Sequence, residues 1–323
     1  MKNLLLILGV LSIGLFSSCG GGSHDHDCCG ECGGESECCG KCGGDKADAT
    51  AAKRNVSRDS KSDHLSCVYA FDEWSSSKQR GQTCRDLNLS HAAMQDVSQT
   101  RHQLRKQLEA AGFSPDSQAA DRNKTNDDFV RCVLVAGLFP NVARVGVAEN
   151  TRHPGSKTRV LNNRGVEVAV HPSGVNAAYA QGKDGSGRVT YHGGPEKGLL
   201  VYQEEVETSR VYLRDTTAVP DESVLLFGGA LSVDHAASTV SVSTGAAASG
   251  TGKQSQASKF KFQCPPETGV LFKLLRKELD AVLATAAEDP SGDHGTLEGT
   301  ARGRRVREVL ERLLPGTGST SRR

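Results

Sequence analysis

The chain has 323 residues, 37 % hydrophobic and 36 of them glycine, which allows two domains or one with long appendages and marks much of the length as linker or loop. Lys and Arg total 39 against 38 Asp and Glu, a formal charge of +1, which excludes a uniformly basic nucleic-acid binder. Any attraction for phosphate must come from local patches, of which Arg302, Arg304, Arg305, Arg307, Arg312, Arg322 and Arg323 form the clearest, a cluster that a solvated helix end explains equally well.

The chain opens with Met1-Lys2-Asn3 and the apolar run Leu4–Phe16. That run is too short to span a bilayer as a helix but suits the apolar segment of a signal peptide. Ser17-Ser18-Cys19-Gly20 follows it, and the whole of residues 1–19 resembles a bacterial lipoprotein signal. That resemblance implies export, lipidation of Cys19 and a membrane anchor. A plain secretory signal and an artefact of gene fusion are the other readings.

Residues 20–62 read as a Cys/Gly-rich disordered linker. His24 and His26 precede two C-C-x-x-C units, Cys28, Cys29, Cys32 and Cys38, Cys39, Cys42. Thiolates and imidazoles so close together suit Zn(II) or Cu(I), although glycine-rich spacing imposes little geometry on them. Disulfides after export, or no selected role, are the alternatives. Lys46–Ser62 is polar and without periodicity, and composition changes at Asp63, where a domain boundary is expected.

From there the pattern is helical, over 63–112 and again near 126–139. Ser62 is a capping residue, and Leu65, Val68, Tyr69, Phe71 and Trp74 follow at helical spacing. Ser90–Ala111 is amphipathic and stops at Gly112, and Asn126–Phe139 is an apolar run ending at Pro140.

Five strand-like runs occupy the segment expected as the next domain, residues 113–290: Val142–Val147, Val166–His171, Leu199–Gln203, Ser209–Asp215 and Val224–Val233. Asn150–Arg164, Ala180–Lys197 and Thr239–Gln256 read as polar, glycine-rich or small-residue loops between them. Lys259–Phe262 is a short alternating strand, Gly269–Ala287 an amphipathic helix, and residues 291–323 a basic tail with a short helix.

Several words then carry a resemblance. Ser62-Asp63-His64-Leu65, Val133–Ala143 (VLVAGLFPNVA), His171–Asn176 (HPSGVN), Thr208-Ser209-Arg210 and Glu288-Asp289-Pro290 occur in order. Together they resemble the helicase-associated region and oligonucleotide-binding (OB) fold at the C-terminal end of DEAH-box RNA helicases. The resemblance runs from about Ser62 to Leu314. It implies an α+β chain, in which a small α-helical bundle is followed by a five-stranded OB-type β-barrel with a C-terminal helix, behind a disordered Cys-rich N terminus. It also implies single-stranded RNA as partner, or helicase motor domains supplied in trans.

Within that family the implied RNA-facing residues here are Thr208, Ser209 and Arg210, with His171, Ser173 and Asn176 as a second set. Thr208 and Arg210 fit phosphate contact or cross-strand pairing equally, and His171 and Asn176 also fit capping of the turn after Pro172. The family's turn offers lysines, whereas this chain has Glu204, Glu205 and Glu207, so repulsion should weaken the grip on RNA.

No G-x-x-x-x-G-K-[ST] loop and no D-E-x-H word occur in the sequence. The ATP and Mg²⁺ of the family belong to its motor domains, so no cofactor and no ATPase are expected of these residues alone. Cys84, Cys132 and Cys264 are isolated and read as reduced core thiols, which suits a cytosolic or nuclear setting and conflicts with the exported leader. The rival reading is an exported, lipid-anchored metal-binding protein whose downstream region is a scaffold.

Overall fold

The computed structural model describes residues 46–120, 122–147, 158–177, 197–244, 259–290 and 299–314. Cys19, His24, His26 and the paired C-C-x-x-C cysteines lie outside the described residues.

Five helices open the described part: α1 (Lys46–Val56), α2 (Asp63–Ser76), α3 (Arg80–Asp86), α4 (His91–Ala110) and α5 (Asp127–Leu138). Their starts are chemically marked. Ser62 accepts from the Leu65 N–H, Ser90 from Ala93, and Asn126 from Asp128 and Phe129, so donors without intrahelical partners are satisfied. Phe71, Trp74, Met94 and Val97 meet Val56, Cys84 and Leu89 in a closed apolar cluster.

The disordered-linker reading of Lys46–Ser62 is corrected here. Lys46–Val56 is helical, Val56 is 4 % exposed, and Ser57, Ser60 and Ser62 are buried. Alanine and lysine carry enough helix propensity to form α1 without a clear periodic face, and tertiary contacts then hold it. Ser62 pairs with Thr217 as an isolated β-bridge, and the Ala218 N–H donates to Lys61 O. The break in composition at Asp63 is therefore continuous structure.

The barrel comprises β1 (Val142–Val147), β2 (Thr158–Leu161), β3 (Glu167–Val170), β4 (Lys197–Glu207) and β5 (Val211–Val219). Strand order is β1-β2-β3-β5-β4, closed by β4 against β1. All pairs are antiparallel except β3 with β5, where Ala169 faces Tyr212. Val145, Val160, Val168, Val170, Leu200, Tyr202 and Leu213 fill the interior. This is the five-stranded OB architecture expected of the chain.

The strands themselves are redistributed. Val224–Val233 does not supply the fifth one: Asp221–Phe227 is helix α6, and only Leu231–Asp234 is extended, as β6. Pro220 fixes the entry, and Asp221 and Glu222 sit in the first turn, where the helix dipole favours carboxylates. A short apolar run cannot be assigned by periodicity alone. The missing barrel strand is β2, inside the stretch read as a loop.

Outside the barrel β6, β7 (Thr239–Ser243) and β8 (Lys259–Gln263) form an antiparallel sheet in that order. Thr239–Ser243, also read as loop, is a strand because Val240 and Val242 alternate inward with 0 % exposure. They meet Phe260 and Phe262, together with Leu134, Val135, Val201, Val219 and Val224, in a second core on the outer wall of the barrel. Helices α7 (Pro266–Glu288) and α8 (Ala301–Leu313) pack Leu279, Val282, Val306 and Leu310 around Leu226 of α6. Cys67, Cys84 and Cys132 are buried free thiols. Burial pushes those of Cys67 and Cys132 up to about 12, so they are unreactive packing groups.

Candidate nucleic-acid interface

Strands β4 and β5 form a hairpin whose register pairs Glu204 with Arg214, Val206 with Tyr212 and Glu207 with Val211. Thr208, Ser209 and Arg210 make its exposed tip, closed by the Thr208 N–H donating to Arg210 O at 3.0 Å. Among the described residues Arg210 has no carboxylate partner, so its guanidinium is free for an anion.

β3 delivers the second set. The His171 N–H donates to Leu213 O at 2.9 Å, which extends the parallel pairing by one residue. The imidazole then lies edge-on to the Tyr212 ring, with centroids 5.8 Å apart. Its Nδ1 accepts from the Ser173 N–H at 3.3 Å and lies 2.7 Å from Ser173 Oγ. In the neutral ring this leaves the proton on Nε2. Burial, then the nearby Arg214 and Lys53 charges, hold His171 below the ordinary histidine range and keep the ring neutral. His171 and Tyr212, both half-buried, with Arg214 and Arg210 exposed beyond them, thus form one strip of ring faces and cations. Tyr212 and Arg214 carried no motif of their own; pairing with β3 is what adds them.

The acidic residues read from sequence as a turn lie on β4, within its pairing to β5, and they are less repulsive than the sequence suggests. Glu205 accepts from Tyr202 Oη at 2.6 Å, Arg164 Nη2 at 2.5 Å and Asn162 Nδ2 at 3.1 Å. Glu204 lies 3.7 Å from Arg214. Among the described residues only Glu207 of the three lacks a cation.

Asn176 does not join this surface. It is fully buried, and its amide donates to Lys61 O at 3.0 Å, Thr216 O at 3.1 Å and Thr216 Oγ1 at 3.0 Å. Its place is the seam between the helices and the barrel, out of reach of a strand on the surface.

That seam was not legible as a site, yet it positions the hairpin. Asp63, the first residue of α2, accepts from the Val175 N–H at 3.0 Å, the Thr216 N–H at 2.9 Å and Lys53 Nζ at 2.7 Å. Gly174 permits that approach, because a Cβ there would lie 3.1 Å from Asp63 Oδ2. Ser62 Oγ and His64 Nδ1 both meet Thr217 Oγ1, at 2.7 and 2.8 Å. Arg131 of α5, 1 % exposed, donates to Ala218 O and Ser60 O, both at 2.6 Å. One end of β5 is thereby held on three helices, and its other end carries Tyr212 and the hairpin tip.

Known proteins are similar to this chain in sequence. The family described as oligonucleotide/oligosaccharide-binding (OB)-fold matches residues 130–231. The "ATP-dependent DNA/RNA helicase DHX36" of Bos taurus is 30 % identical over 253 residues, 75 % of this chain and 22 % of that protein. The "DExH-box ATP-dependent RNA helicase DExH1" of Arabidopsis thaliana is 30 % identical over 274 residues, 83 % of this chain and 24 % of that protein. The "ATP-dependent RNA helicase DHX29" of Homo sapiens is 28 % identical over 244 residues, 71 % of this chain and 16 % of that protein. The chain therefore spans less than a quarter of the length of these curated relatives. Over about three-quarters of its own length it is a distant homologue of the C-terminal, OB-fold-bearing region of DEAH-box helicases.

Proposed function

We propose that the barrel is a single-stranded RNA-binding accessory module that works with helicase motor domains and has no ATPase site among these 323 residues. The observation that carries the proposal is the strip on β3 and β5. It combines the Arg210 guanidinium, which has no carboxylate partner among the described residues, with the rings of His171 and Tyr212, the two ingredients of sequence-tolerant single-strand binding. Phosphates run past Arg210 and Arg214, and a base stacks beside Tyr212. His171 binds as a neutral donor through Nε2, so affinity does not depend on its protonation near neutral pH.

Filter binding tests this with a single strand of about 12 nucleotides, a length within the span of one OB fold. The expected result is saturable binding that weakens between about 50 and 200 mM salt, with a duplex of the same length bound more weakly. No binding at the lower salt contradicts the proposal.

A further inference from the structure

The α7–α8 pair leaves an apolar face uncovered. Leu271 is 65 % exposed, Leu274 55 % and Val309 42 %. Leu271, Leu274 and Leu275 recur at the three- and four-residue spacing that puts them on one side of α7. Leu275, Val306 and Val309 line the hollow between the two helices. Large exposed aliphatic side chains gathered in one place mark a contact surface more often than isolated ones do.

Exposed cations stand on both rims, with Glu267 one turn before Leu271 and Asp280 one turn after Lys277 on α7, and Glu308 one turn after Arg305 on α8. Helical geometry places Lys273 and Lys277 beside Val270 and Leu274 on the α7 edge. Arg302 and Arg305 stand on the α8 edge. The one carboxylate in the hollow, Glu278, is taken up by Arg302 Nε at 2.5 Å. Among the described residues Arg305 has no such partner. A phosphate chain would satisfy the cations but leave the leucines wet, and an apolar partner would leave the cations unpaired.

We propose that the α7–α8 groove docks an amphipathic helix of a partner protein, with leucine-type residues on one face and flanking glutamates or aspartates. Its apolar face would cover Leu271, Leu274 and Val309, and its carboxylates would meet Lys273, Lys277 and Arg305. This is helix-in-groove recognition, with charge selecting the partner. The groove is built from residues other than the RNA strip, so the proposal stands or falls independently of it.

Fluorescence anisotropy on the full chain tests it with a labelled designed peptide of about 18 residues, five helical turns. Leucines occupy one face and glutamates flank them; a second peptide carries lysines in place of the glutamates. The glutamate peptide is expected to bind saturably, and about tenfold more tightly than the lysine peptide. Leu274→Asp and Arg305→Glu, both at exposed positions, should each weaken it about tenfold while leaving the thermal midpoint and RNA binding unchanged. Absence of binding, or equal affinity for the two peptides, overturns the proposal. So does self-association of the chain abolished by Leu274→Asp, which would make a second copy the occupant, or loss of RNA binding in Arg305→Glu with peptide binding intact.

Discussion

Lys53 Nζ lies 2.7 Å from Asp63 Oδ1, and the two side chains are only 10 % and 1 % exposed. Burial alone would lower the lysine pKa, but the Asp63 charge and hydrogen bond outweigh it and hold Lys53 above its ordinary value. The same carboxylate takes the backbone N–H groups of Val175 and Thr216. One ion therefore ties α1 and α2 to the HPSGVN turn and to β5.

Breaking this pair from one side leaves an uncompensated buried charge. Lys53→Met should lower the unfolding free energy by about 3–5 kcal/mol, read by urea denaturation. Asp63→Asn retains the shape but loses acceptor capacity toward two N–H groups and should cost a similar amount. The double variant should cost clearly less than the sum of the two. Simple additivity would show that the residues act separately.

Arg131 is a second anchor, and its work is hydrogen bonding. Replacing it with Met leaves Ala218 O and Ser60 O buried without their donor, a loss of roughly 2–4 kcal/mol. Arg131→Lys should recover only part, because an ammonium lacks the planar fork that reaches both carbonyls. Full recovery by lysine in urea denaturation would contradict this account.

Asp215 makes stability pH-dependent. Burial raises its pKa from 3.8 to about 6, against the pull of Lys53, with Asp63 and Glu204 adding to the rise and Arg214 opposing it. A raised folded value means stabilisation that is full below pH 4 and lost as pH climbs through 6. Asp215→Asn removes the ionisation cost, and asparagine suits the left-handed backbone at this position (φ 50°). The variant should exceed the wild type at pH 8, by up to about 3 kcal/mol before solvent screening, and match it near pH 4. A constant difference across that range would rule out Asp215 as the source.

His64 acts in the opposite direction. Burial lowers its pKa from 6.5 to about 4, so its contribution is present above pH 6.5 and lost as pH falls toward 4. His64→Gln should flatten the acid limb of a thermal-midpoint profile. An unchanged limb would show that His64 does not control it.

The backbone after Phe227 leaves no room for a side chain. A Cβ on Gly229 would fall inside the Ser243 carbonyl, and one on Gly228 inside that of Val224. Gly229→Ala should therefore cost more than the about 1 kcal/mol typical of a substitution, measured by chemical denaturation. A neutral result would mean that the β6–β7 pairing yields easily.

Words such as HPSGVN and VLVAGLFPNVA made the fold class legible because each fixes a turn or a helix end in a known order. The pair of strands around residues 208–210 was legible as β-rich runs, but the turn was read too early: residues 204–207 belong to β4, and Arg210 lies in the tip before β5. Strand β2 and helix α6 were not legible. Thr158–Leu161 is only four residues within polar sequence, and Val224–Phe227 is equally apolar as strand or helix. Helix α1 was hidden because it shows no clear periodic face, and the contacts that hold it and the segment after it, Lys53 with Asp63 and Ser62 with Thr217, have no local signature. Asn176 fitted either an RNA-facing residue or a cap on the turn after Pro172; its acceptors, Lys61 O and the carbonyl and hydroxyl of Thr216, are remote in sequence and only the folded chain brings them to it. Tyr212 and Arg214 join the candidate strip through the parallel pairing of β5 with β3, a relation that spacing along the chain cannot show.

The central claim is that the β3–β5 strip holds a single strand. The most direct test is photo-cross-linking of a 4-thiouridine-substituted strand to the wild-type chain, with the cross-linked peptides mapped. The account predicts adducts on the segment containing Tyr212 and on the one containing His171, with the signal falling in Arg210→Ala and lost in Tyr212→Ala. Cross-links confined to the α7–α8 face, or unchanged in both variants, would contradict it.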